Sequence, residues 1–300
     1  MSSSLCRLAR AYARMGQTIA SSMELGVSKS RLLGIGLEYA DFREYQEGDD
    51  AKYIDWALSA RSVDANRGDY KLYTKVFHVE QLKKTVYVID LSNSMLIEDK
   101  LAAEAYIASL TLELSHRLLD RVDLVLVGGK VEVYRGLRGR EAIRVIENTL
   151  CRESEIGGVQ SITALSSILR VLIGKNTQLV LITDYAHDPE EYIVLGKLRR
   201  ATGTPILVYL VVYKWEVEKP VDRAFLVLVD SENPLSYIGD LDELYRAVKT
   251  HVVHVKSILA KSRVNHLEVV GLMDATAKTV RIIDLYLKTR ERQVIQTPGF

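Results

Sequence analysis

Cysteine is almost absent from this chain of 300 residues: Cys6 and Cys151 are its only two. They lie far apart and lack CxxC spacing, so they suggest neither a disulfide framework nor a zinc site. A reducing, cytoplasmic setting is the simplest reading of so few thiols. Also missing is any run near the ~18–20 apolar residues that a membrane-spanning helix needs. The longest candidate, PILVYLVVY, is strand-length and rich in β-branched residues. Neither sign of charge dominates, with 40 Lys and Arg against 39 Asp and Glu and a net charge of +1. No basic face interleaved with aromatics stands out, which argues against a nucleic-acid partner. There is no GxxxxGK[ST] loop, and no GxGxxG follows the first strand, which argues against a nucleotide site. Internal repeats and low-complexity linkers are absent too.

What is present is a nearly even mixture of apolar and polar residues, 48% hydrophobic and 26% charged, the balance of a globular chain. The N-terminus, MSSSLCRLARAYARMGQTIA, sets Arg7, Arg10 and Arg14 on a helical repeat. It lacks the continuous apolar core of a signal peptide. The composition favours a solvated basic face on a helix packed against the body, with peripheral contact to a membrane surface as the alternative.

From Thr85 onward apolar strands alternate with helices. TVYVID, DRVDLVLVGG, TQLVLITD, TPILVYLVVY and HLEVVG read as strands, and KVEVYRG as an edge strand joined by a hairpin. AFLVLVD and LSYIG form a small hairpin inserted around 222–239. The segments between them have helical spacing. The expected fold is α/β: a doubly wound, mainly parallel sheet over residues 85–292, covered on both faces. Residues 1–84 are expected to form an N-terminal helix and an irregular, β-rich segment.

Ligands of such sheets bind beyond the carboxyl ends of the strands, where strand order reverses. The stretch TVYVIDLSNSML carries Asp90, Ser92 and Ser94 at alternate positions directly after the first strand. Asp184 ends the strand TQLVLITD, and Thr163 opens the helix TALSSIL. Two carboxylates balance a divalent charge, and hydroxyls add oxygen without adding charge. This is a hard donor set suited to Mg²⁺, or to Mn²⁺ or Ca²⁺, and the ion would remain electrophilic toward another anionic ligand. Taken singly, Ser92, Asn93, Ser94 and Thr163 are also good helix N-caps, each worth about 1 kcal/mol. Their convergence in βα loops favours the metal-capable reading.

Asp90, Ser92, Ser94, Thr163 and Asp184 together resemble the metal-ion-dependent adhesion site of von Willebrand factor type A (vWA) domains, whose pattern is DxSxS, a distant Thr and a distant Asp. Upstream, GIGLEYADFREYQEGDDAKYIDWALSAR resembles the signature of the domain-of-unknown-function 58 proteins, which carry a vWA-like domain. The matching residues include Gly36, Glu38, Arg43, Glu44, Tyr45, Gly48, Asp49, Asp50, Ile54, Asp55, Trp56, Ser59, Ala60 and Arg61. The resemblance implies a non-enzymatic protein-interaction role, with a MoxR-type AAA+ ATPase as partner. Within the signature, a buried Trp56 and acids paired with Arg43 or Arg61 are expected to make a structural clasp.

The rival reading is a metal-dependent phosphoesterase or phosphotransferase with Asp90 as nucleophile. His187 would then be an acid or base, although Pro189 nearby places it on a solvated loop. No motif fixes a lysine to hold a phosphate, and Ser92 stands where a second aspartate would be needed. The other histidines show no metal-ligand spacing; His251 and His254 form only a lone HxxH.

Overall fold

β-Branched and aliphatic residues crowd the segments after Lys83, and each run is too short for a helix but long enough to cross a sheet. In the computed structural model six of these runs are strands of one sheet. Residues 3–23, 37–47, 49–62, 71–79, 83–152, 156–158, 161–218, 225–229 and 236–291 are described. The chain divides into two units, one of residues 1–24 and 83–300, the other of residues 25–82.

In the larger unit, β3 (Lys84–Asp90), β4 (Arg121–Val127), β5 (Val131–Leu137), β6 (Thr177–Thr183), β7 (Ile206–Val212) and β10 (Asn265–Val270) form a six-stranded sheet in the order β10-β7-β6-β3-β4-β5. All neighbours are parallel except β4 and β5, the expected edge hairpin. Chain order runs outward to one edge from β3 and to the other from β6, so it reverses between these two strands. The α/β reading with a mainly parallel, mixed sheet is therefore correct. β6 and β7 are buried along their full length, as parallel strands covered on both faces must be. The pair β8 (Phe225–Val229) and β9 (Ser236–Asp240) is the antiparallel hairpin expected around 222–239.

The helices are α1 (Ser3–Ser22), α3 (Lys100–Arg117), α4 (Gly139–Thr149), α5 (Ile162–Leu172), α6 (Pro189–Thr202), the short α7 (Lys214–Val217), α8 (Leu241–Lys261), α9 (Gly271–Ala277) and α10 (Thr279–Glu291). The helical segment after β10 is two helices, divided at Lys278. That ammonium is drawn to the Glu268 carbonyl and the Asp274 carboxylate.

α3 is the centre of one layer. Every residue from Lys100 to Ser115 is buried, as expected of a helix apolar on nearly all sides. α1 lies on it through Ala9, Ala13, Gly16 and Ala20, all buried. Small residues let the two backbones approach. A Cβ at Gly16 would sit 2.5 Å from the Tyr106 carbonyl oxygen. At the same interface Glu113 accepts hydrogen bonds from Gln17 (3.1 Å), Ser21 (3.1 Å) and Arg140 (2.6 Å). The N-terminal helix thus belongs to the main body, with Arg7 and Arg14 on its exposed side. Cys6 and Cys151 are joined in a disulfide with their Cα atoms 5.1 Å apart. This corrects the expectation of two free thiols. Packing α1 against α4 brings the loop after α4 to the first turns of α1, a juxtaposition that sequence spacing does not encode.

In the smaller unit, β1 (Leu37–Glu44) pairs antiparallel with β2 (Tyr73–Val79), and α2 (Trp56–Arg61) lies between them in sequence. The signature residues close turns. Asp49 accepts from Arg43 at 2.5 Å and from the Gln46 amide at 3.0 Å. Asp55 caps α2 through Leu58 N (2.9 Å), and the buried Ser59 hydroxyl accepts from Tyr73 N (2.9 Å). Trp56, expected in a core, is 65% exposed, because it is the first residue of a helix of only six. Gly36 and Gly48 lie outside the described residues.

Candidate functional site

β3 and β6 pair in register up to Ile89 and Ile182. The next residue on each strand is polar and emerges at the carboxyl end of the sheet. Thr183 Oγ1 accordingly donates to Asp90 Oδ2 across the strands, at 2.5 Å. Beyond β3 the backbone turns at once, and Ser92 N donates to Asp90 Oδ1 at 3.0 Å. Residues 93–96 form a single 3-10 turn, with Ser92 Oγ and Ser94 Oγ 3.1 Å apart. Asp90, Ser92 and Ser94 are all buried. Ser92 makes no side-chain cap bond, and α3 begins only at Lys100. The helix-cap explanation of these hydroxyls therefore fails, and the turn gathers their oxygens instead.

Gly157 and Gly158 brace this turn from the loop before α5. Both have positive φ, 93° and 81°. Gly157 N donates to the Leu91 carbonyl (2.7 Å), and Asn93 N to the Gly158 carbonyl (3.2 Å). A Cβ at Gly157 would stand 2.6 Å from Asn93 Oδ1 and push that side chain aside, and the left-handed φ itself favours glycine there.

Asp184 is 2% exposed at the end of β6. Its Oδ1 accepts from Ala186 N (2.8 Å), and its Oδ2 from Lys100 Nζ (2.6 Å). Lys100 is fully buried and also donates to Glu216 Oε1 of α7, at 2.9 Å. Thr163 stands apart. It is the second residue of α5, whose N-cap is Ser161. It is exposed, its amide donates to Ser161 Oγ (3.0 Å), and no hydrogen bond links its hydroxyl to the Asp90 turn.

Three further groups shape the electrostatics. His187, expected on a solvated loop, has a side chain only 12% exposed, and its Nε2 lies 3.1 Å from Asp90 Oδ2 and 3.0 Å from Thr183 Oγ1. Burial opposes ionisation of Asp90. Hydrogen bonds from His187, Thr183 and Ser92, with the His187 charge, outweigh it and hold the carboxyl below its usual range. The same contact works in reverse on His187: burial disfavours its cation, yet Asp90, Asp184 and Glu191 raise its pKa. Burial likewise opposes the Lys100 cation, and Asp184 and Glu216 overcome it. Glu104, on the second turn of α3, accepts from Asp90 N at 3.2 Å. Burial, then the nearby Asp90 charge, pushes its pKa well up.

The turn suits a small divalent ion. Asp90 Oδ1, two buried hydroxyls and the neighbouring Asp184 are hard oxygen donors. Among the described residues no group of three or more His, Cys, Asp and Glu side chains could hold a metal, so any such ion would depend on the hydroxyls. At Asp184 it would meet Lys100, which already neutralises one oxygen of that carboxylate.

Lys100 and Glu104 were not recognised as site members from sequence, and His187 entered only as the acid or base of the phosphoesterase reading, but signals existed. A lysine as the first residue of a helix opposes the helix dipole, which points to an anionic partner elsewhere. Glu104 lies in the apolar run LAAEAYIA. His187 follows Asp184 by three residues.

Among solved structures, the chain aligns with an aerotolerance-related membrane protein from Bacteroides fragilis NCTC 9343 carrying multiple mutations to serines. Identity is 16% and the TM-score 0.47, covering 69% of this chain and 99% of that one. It also aligns with the conserved hypothetical protein BatB from Bacteroides thetaiotaomicron, at 15% identity and a TM-score of 0.37, with the same coverage. A third match, the D319A mutant of the PilB minor pilin from Streptococcus sanguinis, has 9% identity and a TM-score of 0.42, covering 76% of this chain and 68% of that one. No curated protein matches the chain. The sequence matches one family over residues 41–233, well over half of its length, and the chain belongs to that family, described as protein of unknown function DUF58.

Proposed function

We propose that this chain is a non-enzymatic protein-interaction module with a vWA-like, doubly wound domain, docking its partner at the carboxyl end of the sheet. Asp90, Ser92 and Ser94 would hold a divalent cation, Mg²⁺ or else Mn²⁺ or Ca²⁺, with Asp184 and Thr163 as the remaining oxygens of the adhesion-site pattern. The cation would supply an electrophilic point for an acidic side chain of the partner. The partner class implied by the family resemblance is a MoxR-type AAA+ ATPase. The observation that carries this reading is the buried gathering of three oxygens on one turn, with Asp90 held ionised, where strand order reverses.

The phosphoesterase reading has less support. Asp90 is 4% exposed, and its Oδ2 already accepts from Thr183 and His187. A small ion can reach such an oxygen, whereas a phosphoester needs an open approach for in-line attack. An ATP-consuming partner implies a cytoplasmic setting. No helix among the described residues is long and apolar enough to cross a membrane.

The test is a pull-down of a purified MoxR-type ATPase by the full chain, in Mg²⁺ and in excess chelator, with wild type and Asp90→Ala. Binding should require Mg²⁺ and be lost in Asp90→Ala, while the far-UV spectrum of the variant stays unchanged. Binding that persists in chelator would remove the metal bridge from the proposal.

A further inference from the structure

The strands of the parallel core share one direction, so the start of β10 lies at the opposite end of the sheet from Asp90, about 20 Å away along the strand direction at ~3.3 Å per residue. A cavity of about 540 Å³ opens there between the ends of α6 and α8 and the flank of α10. Its polar lining includes Arg199, Arg263 and His266, its walls are Ala260, Val264 and Leu285, and no carboxylate lines it. Among the described residues neither guanidinium has an ion-pair or side-chain hydrogen-bond partner. Two other arginines of this unit show what a matched guanidinium looks like: Arg290 forks onto Asp120 at 2.8 Å through two nitrogens, and Arg140 reaches Glu113 at 2.6 Å.

Helix ends attract basic side chains, which accounts for one arginine at each helix. It does not account for both lining the same cavity with an imidazole beside them. The backbone adds a second observation. Arg263 follows the end of α8 with φ 55°, a left-handed conformation that suits glycine, and at the end of α6 Gly203 takes φ 70°. At α8 an arginine, strained there by its Cβ, occupies the equivalent position. His266 contributes in a defined state. Its Nδ1 lies 3.2 Å from the Val264 carbonyl, which can only accept. Nδ1 therefore carries the proton, and Nε2 is left to accept from a protonated oxygen of a ligand or, when charged, to donate.

We propose that this cavity binds a phosphorylated small molecule. Two unmatched guanidinium forks fit phosphate oxygens, the imidazole fits a phosphate hydroxyl, and the aliphatic wall fits the carbon skeleton. The volume lies within the range of small-molecule sites. This site is independent of the Asp90 turn and stands whether or not that turn holds a cation.

The experiment uses the full chain with pyrophosphate and orthophosphate as probes, against sodium chloride at matched ionic strength, read by titration calorimetry and by Tm. Pyrophosphate should bind with a sub-millimolar Kd and raise Tm above the chloride control. Arg199→Gln and Arg263→Gln should each weaken it at least tenfold, and the double variant should abolish it. Arg263→Gly separates binding from folding: it should raise the Tm of the free chain by relieving the left-handed residue, yet weaken pyrophosphate as Arg263→Gln does. Pyrophosphate that shifts Tm no more than chloride overturns the proposal. So does a double variant that binds like wild type.

Discussion

Glu104 shows how one carboxyl can be stabilised by keeping its proton. It is 1% exposed, its Oε1 accepts from Asp90 N, and its Oε2 has no acceptor or donor partner. An ionised carboxylate there would leave Oε2 without a hydrogen bond and face the Asp90 charge, and burial with that charge outweighs the Asp90 N hydrogen bond and the Lys100 charge, raising its pKa well above 4.5. A raised pKa means that the folded chain binds this proton more tightly than the unfolded chain does. The associated stability is fully present below about pH 4.5 and is lost as pH rises toward the folded pKa. Glu104→Gln keeps the acceptor for Asp90 N and removes the ionisation. Its stability relative to wild type should be constant below about pH 4.5 and then grow by up to ~1.4 kcal/mol per pH unit. Urea denaturation of both proteins from pH 4 to 9 measures this, and parallel stability curves would show that Glu104 ionises freely in the fold. Lys100 makes the complementary case. Its fully buried cation is held by two carboxylates, and removing one member of such a group leaves a buried charge unpaired.

At the scale of elements, close approach of α1 to α3 rests on small residues rather than on large apolar ones. Gly16 is the tightest point, because the atom a methyl would meet is the Tyr106 carbonyl, fixed in a fully buried helix. Helix propensity alone would make Gly16→Ala stabilising by about 1 kcal/mol. Overpacking against an unyielding backbone costs about 1–3 kcal/mol, so the net effect should be a lower Tm. Thr18→Ala, on the exposed side of the same helix, should lie within ~0.5 kcal/mol of wild type. Thermal melts of both variants decide it, and a Gly16→Ala protein as stable as wild type would mean that α1 can shift on α3. The helix itself was readable from the helical spacing of Arg7, Arg10 and Arg14, but its docking site was not, since alanine and glycine carry little directional signal. The same division holds at the candidate site. Asp90, Ser92 and Asp184 were readable because strand ends are marked by a switch from apolar to polar residues. Lys100 and Glu216 were not, and His187 was read only as an acid or base on a solvated loop, because their roles depend on which loops the sheet order places side by side.

On the scale of the molecule, the Cys6–Cys151 bond closes a loop of 145 residues that contains the whole of the smaller unit in sequence. It fixes to the body a helix already held by Arg10, which donates to the Glu147 carbonyl at 3.2 Å, and by Arg117, which donates to the Met23 carbonyl at 2.7 Å. Loop-closure entropy for a ring of this length gives roughly 5 kcal/mol of stabilisation as an upper value. At ~2 °C or more per kcal/mol for a chain of this size, Tm should fall by on the order of 10 °C on reduction. Cys6→Ser should melt at the temperature of reduced wild type, and adding reductant should not lower it further. Because the contacts of Arg10 and Arg117 survive reduction, α1 should remain docked and the far-UV spectrum unchanged at 25 °C. Stable disulfides are ordinary in oxidising compartments and in intracellular proteins of hyperthermophiles, and rare in other cytosolic proteins. Alkylation of thiols at the moment of cell lysis, followed by mass measurement of the denatured chain, therefore tests the bond and its setting together. A chain that carries no alkyl groups until it is reduced establishes the disulfide in the cell. Two alkylated cysteines would return the protein to the reducing setting that its cysteine content suggested, and would leave α1 held by its small-residue packing and hydrogen bonds alone.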